Sequence, residues 1–164
     1  MSNPDNRHPA STPRLLARVG PTGLVVGTIL VSAVARVLFD AAIGFGVGEG
    51  YYVASARHLA LSYFDQPPLF LWVTWLTLRF CEATDTLMLR LPFLAMFGVT
   101  TWLMFLFGRR LFGEWAGAWS AVILNLSLVF TLSVGSWVQP DAPLFLFLLA
   151  AALCVSELAF GEPR

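Results

Sequence analysis

The chain has 164 residues, 57% of them hydrophobic and 12% charged, against roughly 25% charged for an average soluble domain, which excludes a water-soluble globular fold. Its net charge is zero, so nucleic acid is not expected as a partner. The composition is that of an all-α polytopic membrane protein.

Residues 1–21, rich in Pro, Ser, Asn and Arg and without apolar periodicity, read as a disordered cytoplasmic lead-in. The apolar run that follows has no small-residue cleavage pattern, so it is a first span, about 22–43, rather than a cleaved signal. Next comes a polar island with two short helices, about 49–61 and 67–81. The apolar stretch Leu69 to Cys81 is too short to cross a bilayer and starts at a proline pair, which suits a helix lying in the interface. Three further spans follow at about 87–107, 115–134 and 142–160, with a tail at 161–164.

Every basic side chain is Arg. Arg7, Arg14 and Arg18 place the N-terminus in the cytoplasm by the positive-inside bias. A flat Leu69–Cys81 segment then brings Arg109 and Arg110 to the cytoplasmic side too, and puts Glu49, Asp65 and Asp141 together on the outer side. Trp115 and Trp119 near the start of the third span, Trp137 at its exit, and Trp72 and Trp75 on the flat helix sit where interfacial aromatic belts form, and Trp137 is near enough to an acid to serve as a sugar platform. Cys81 and Cys154 lie in separate apolar runs and read as buried free thiols.

The acids are the chemistry-bearing groups. Glu49 is either a helix-start acid favoured by the helix dipole or a general base or metal ligand at the membrane boundary. Asp65 before Gln66-Pro67-Pro68 and Asp141 after Pro140 both suit helix capping. Arg36 and Asp40, four apart in the first span, can pair on one face, and Arg36, Arg57 and Arg90 are candidates for holding an anionic lipid phosphate. His58 reads as a surface residue, and nucleotide-loop, zinc and Ser/His/Asp patterns are absent.

As a set, Glu49-Gly50-Tyr51-Tyr52, Tyr63 to Leu69, Arg90-Leu91-Pro92, Gly108 to Gly113 and Pro140-Asp141-Ala142-Pro143-Leu144 resemble, in order, the N-terminal part of family 39 glycosyltransferases, the protein mannosyltransferase and lipid A aminoarabinose transferase type. The resemblance implies a GT-C-like architecture with about four transmembrane helices and amphipathic helices in the first outer loop. It also implies sugar transfer from a polyprenyl-phosphate donor to a lipid, polysaccharide or protein acceptor outside a bacterial plasma membrane. By position it makes Glu49 and Asp141 the catalytic acids and the holders of any divalent metal ion; Arg36, Tyr52, Arg57, Asp65, Arg90 and Trp137 are then the candidates to surround the substrate, the arginines for its phosphate. Two positions depart from the family pattern: Gly48 stands where Asp is usual, and Gln66 where His is usual. Members are longer, so the resemblance covers an enzyme's N-terminal part; the alternative is a non-catalytic four-span protein or a degenerate remnant.

Overall fold

A computed structural model describes residues 14–82 and 85–160, and every regular element among them is helical. Helix α1 covers Arg14–Ala42 with a break at Gly20, whose φ of 67° is open to glycine; Pro21 then starts the second piece, where its fixed φ suits a first helical position. The expected lead-in is therefore helical from Arg14, and its residues 1–13 lie outside the described residues. Two short helices follow, α2 (Val47–Ala56) and α3 (Pro68–Thr77). Helix α3 is ten residues long, about 15 Å, half the thickness of the hydrocarbon core. Helix α4 covers Thr86–Phe112, capped by the Asp85 carboxylate on the Met88 N–H at 3.0 Å. Gly113, at φ 94°, reverses the chain into α5 (Glu114–Leu126). After Ser127 the backbone widens into a π-helical turn, Phe130–Val134, and α6 (Asp141–Phe160) closes the chain.

Three helices are long and apolar enough to cross a membrane: Val19–Ala42 of α1, all of α4, and Asp141–Ala159 of α6. The expected run 115–134 is covered by α5 and the π-helical turn with the break at Ser127 between them. Ion pairs fix the relative directions. Arg110 at the end of α4 meets Glu157 near the end of α6 at 2.7 Å, and Arg109 meets Glu114 at the start of α5 at 3.9 Å. At the opposite end, Asp40 of α1 faces Arg90 of α4 at 3.6 Å. Hence α4 and α6 run one way and α1 and α5 the other, so this is a multi-pass bundle. The ends of α1, α2, the start of α4 and the loop 135–140 all share one side.

That side carries the main core. Val53, Ala56, Phe70, Leu71, Leu89, Phe93, Val138 and Ala142 pack together there, so α2 and α3 form a cap pressed onto α4 and α6. Lower down, α4 and α5 touch backbone to backbone: a Cβ added at Gly117 would lie 2.5 Å from Arg109 N and Phe105 O, the close approach that small residues permit between membrane helices. Outward faces of α1 (Leu30, Val31, Val34, Leu38) and α6 (Leu144, Phe147, Leu148) are exposed and apolar, as lipid contact requires. Cys154 is on the exposed side of α6 and Cys81 is half-buried. Both are free, but neither is the buried thiol the apolar runs implied, because those runs face lipid as well as core.

Candidate functional site

Beneath the cap, Glu49 and Arg90 form a buried pair, with side chains 1% exposed. Glu49 is the third residue of α2, and its Oε2 accepts the N–H of Gly46, the residue before the helix, at 3.0 Å; this reach-back fixes the helix start. Oε2 also accepts from Arg90 Nη2 at 2.5 Å, and Oε1 from Arg90 Nε at 2.9 Å. The last donor comes from a distant segment: the Val138 N–H reaches Glu49 Oε1 at 3.1 Å. Four donors thus fill the four acceptor positions of one carboxylate. Burial pushes the Glu49 carboxyl up, but the Arg90 guanidinium and the Gly46 and Val138 N–H groups outweigh it and hold it below its ordinary value of 4.5.

Arg90 is equally saturated. Besides Glu49, its Nη1 donates to the carbonyls of Asp40 and Ile43 at 3.3 and 3.2 Å, and its Nη2 to that of Gly44 at 3.0 Å. All five guanidinium N–H groups are engaged, three bonds ending on carbonyls at or just beyond the end of α1 and two on the acid in the first turn of α2. The pair therefore ties α1, α2, α4 and the loop before α6 into one centre. In this arrangement each Glu49 oxygen already accepts two hydrogen bonds, and every Arg90 N–H already has an acceptor. Among the described residues, no group of three His, Cys, Asp or Glu converges to hold a metal ion. A metal bound through Glu49 and Asp141 does not fit this donor set.

The remaining predicted residues divide into three places. Tyr52 packs edge-on against Phe70 at 5.1 Å, so it belongs largely to the core of the cap. Asp65 is exposed and accepts the Tyr51 hydroxyl at 2.9 Å; Pro67 takes the position before α3, and Asp65 does not cap that helix. Arg57 ends α2 on the surface, beside Arg79, which lies over the Trp75 ring at 4.6 Å. Asp141 is half-buried as the first residue of α6, three positions past the locked Val138. Trp137, next to it, keeps a buried Nε1 without a hydrogen-bond partner.

Arg36 is away from the saturated pair and makes no ion pair with Asp40. Its Nη1 donates to Asn125 Oδ1 at 3.2 Å and its Nη2 to Thr131 Oγ1 at 3.3 Å, while Asp40 turns to Arg90. Asn125, Thr131, Ser136 and the Val138 N–H went unnoticed in the sequence. Three of them carry a usable signal, since polar side chains recur through an otherwise apolar stretch; a backbone N–H carries none.

The family described as dolichyl-phosphate-mannose-protein mannosyltransferase matches residues 65–160, over half of the chain. The chain belongs to this family. The matched region contains Asp65, Arg90 and Asp141, whereas Glu49 and all of α1 and α2 lie before it. Neither a curated protein nor a solved structure matches. Membership and the helical bundle together establish a membrane-embedded relative of GT-C glycosyltransferases, and confirm the family reading made from the five sequence blocks.

Proposed function

We propose that the protein transfers a sugar from a polyprenyl-phosphate donor to an acceptor hydroxyl at the capped end of the bundle, with inversion at the anomeric carbon. The acceptor oxygen forms the new bond to that carbon, the bond from carbon to phosphate oxygen breaks, and the phosphate leaves on its carrier. The acceptor proton goes to a carboxylate. With Glu49 saturated, that carboxylate is Asp141, and the Glu49–Arg90 pair is a positioning device that holds the Asp141 loop through Val138. The observation that carries this reading is the Val138–Glu49 hydrogen bond, which couples the acid just outside the family match to the Pro140-Asp141 block inside it.

The test is transfer by the whole chain in proteoliposomes, from a radiolabelled polyprenyl-phosphate sugar. Asp141→Asn is expected to lower the rate by ~100-fold, the scale of lost general-base catalysis. Transfer at the normal rate by this variant removes Asp141 from the chemistry. Gly48 and the saturated Glu49 favour a second reading, a non-catalytic relative, and no transfer by the unaltered chain supports it.

A further inference from the structure

Arg57, at the end of α2, and Arg79, just after α3, stand exposed on the cap, and among the described residues no carboxylate pairs with either. The acids that follow α3 are placed otherwise: Glu82 is exposed and makes no ion pair among the described residues, and Asp85 caps α4. Together with Trp75, Leu78 and Cys81, the two arginines line a depression of about 380 Å³. The Arg79 guanidinium carbon lies 4.6 Å from the centre of the Trp75 ring, which holds one face of that cation against an aromatic surface instead of water. Two positive charges around one depression repel each other, and an anion seated in it offsets that repulsion.

Trp75 also lines an apolar groove of about 570 Å³, whose other walls are Leu59, Ala60, Leu61, Trp72 and Leu76. Hydrogen bonds hold this groove in shape. Trp72 Nε1 donates to the Ala60 carbonyl at 2.8 Å, and the Tyr63 hydroxyl accepts the Ala60 N–H at 3.3 Å and donates to the His58 carbonyl at 2.9 Å. The segment after α2 is thereby tied to α3, yet its apolar side chains stay uncovered: Leu61 is 90% exposed, and Leu59 and Leu76 are 54% exposed. The cap sits where α1 ends and α4 begins, the level at which these spans leave the bilayer. Large apolar side chains left open at that level, with arginines and a tryptophan at their border, have the chemistry of a surface that enters the headgroup region.

We propose that this face of the cap binds an anionic phospholipid of the surrounding bilayer: Arg57 and Arg79 take its phosphodiester, and its acyl chains cover Leu59, Leu61 and Leu76. A water-soluble anion leaves the groove unfilled, and a zwitterionic lipid brings a cation back to the two arginines, so the anionic phospholipid is the occupant favoured. Helix α2 is then held at both ends, by Arg90 through Glu49 and by the lipid through Arg57. The lipid here is a fixture of the membrane, not a reactant, and its binding is independent of sugar transfer.

Photoactivatable phosphatidylglycerol, added to the whole chain in phosphatidylcholine nanodiscs, tests this, with the labelled residues mapped by peptide mass spectrometry. Saturable labelling within residues 57–79 is expected, and photoactivatable phosphatidylcholine should label the same residues at least about tenfold less. Unlabelled phosphatidylglycerol should displace the label at least about tenfold more readily than inorganic phosphate or polyglutamate. Arg57→Gln combined with Arg79→Gln is expected to cut labelling by about tenfold or more. Leu59→Ser combined with Leu76→Ser leaves both charges in place and is expected to cut it comparably; all four positions are exposed, so neither change disturbs the core. Equal labelling by the two lipids, label mapping elsewhere, or unchanged labelling in either double variant overturns the site. Displacement by inorganic phosphate or polyglutamate as effective as by phosphatidylglycerol makes the depression a site for a water-soluble anion and overturns the lipid assignment.

Discussion

Four hydrogen bonds on one carboxylate make Glu49 an anchor, and its replacement has a defined cost. Glu49→Gln keeps the size but removes the charge opposite a buried guanidinium, so a loss of roughly 3–5 kcal/mol is expected, read as a lower unfolding midpoint in detergent. The pH dependence follows from the same bonds. The carboxyl is held below its ordinary value of 4.5 in the folded protein, so its contribution is complete above that value and is lost as pH falls below it. The Glu49 contribution should therefore be flat near neutrality and fall under about pH 4.5, so the stability difference between the unaltered chain and Glu49→Gln should narrow on the acid side. Gly48 offers a separate test, because a Cβ there meets only Tyr52 Cε2, at 3.9 Å. Gly48→Asp should fold normally, and a gain in transfer would mark Gly48 as a lapsed catalytic position. At this scale the sequence made Glu49 and Arg90 visible as charges in an apolar chain but not as partners of each other. Nothing in the string Gly48-Glu49-Gly50 shows that an N–H from residue 138 completes the set.

Helix positions were legible wherever apolar length decided them: α1, α4 and α6 lie where runs of lipid-soluble residues predict spans. The stretch after α5 was not, since its apolar character continues through Ser127 while the backbone does not. What breaks it is tertiary: Thr131 donates to the Asn125 carbonyl at 2.8 Å and accepts from Arg36, a local exchange of hydrogen bonds that hydropathy does not register. The α4–α5 crossing was likewise hidden, although Gly108 and Gly117 occur in the sequence, because glycines do not announce which of them face a neighbour. Gly117→Ala forces a methyl into backbone at 2.5 Å and should destabilise by roughly 1–3 kcal/mol. Gly27→Ala, with open space around it, should not, and paired unfolding measurements separate the two.

For the molecule as a whole, the ion pairs place the start of α1 and the Arg109–Arg110 end of α4, with Glu114 and Glu157, on one side, and Asp40, Glu49 and Asp141 on the other. Charge bias then predicts which side is cytoplasmic. With Cys81 and Cys154 replaced, a cysteine at exposed Glu114 should resist an impermeant thiol reagent in intact cells, and one at exposed Ser62 should react. The reverse pattern inverts the orientation. The family and the class of protein were readable from motif order, because ordered blocks report ancestry. The groove between α1 and α5 was not, since it is a space between helices and has no motif.

The knot at Arg90 also sets a timetable for biosynthesis. Its acidic partner, Glu49, emerges from the ribosome well before it, but the Val138 N–H arrives only with the loop ahead of the last helix. A guanidinium entering the bilayer on α4 therefore finds its counter-ion waiting, while the clasp that closes the cap forms late. A chain halted before that loop would hold its charges paired and its cap still unclasped.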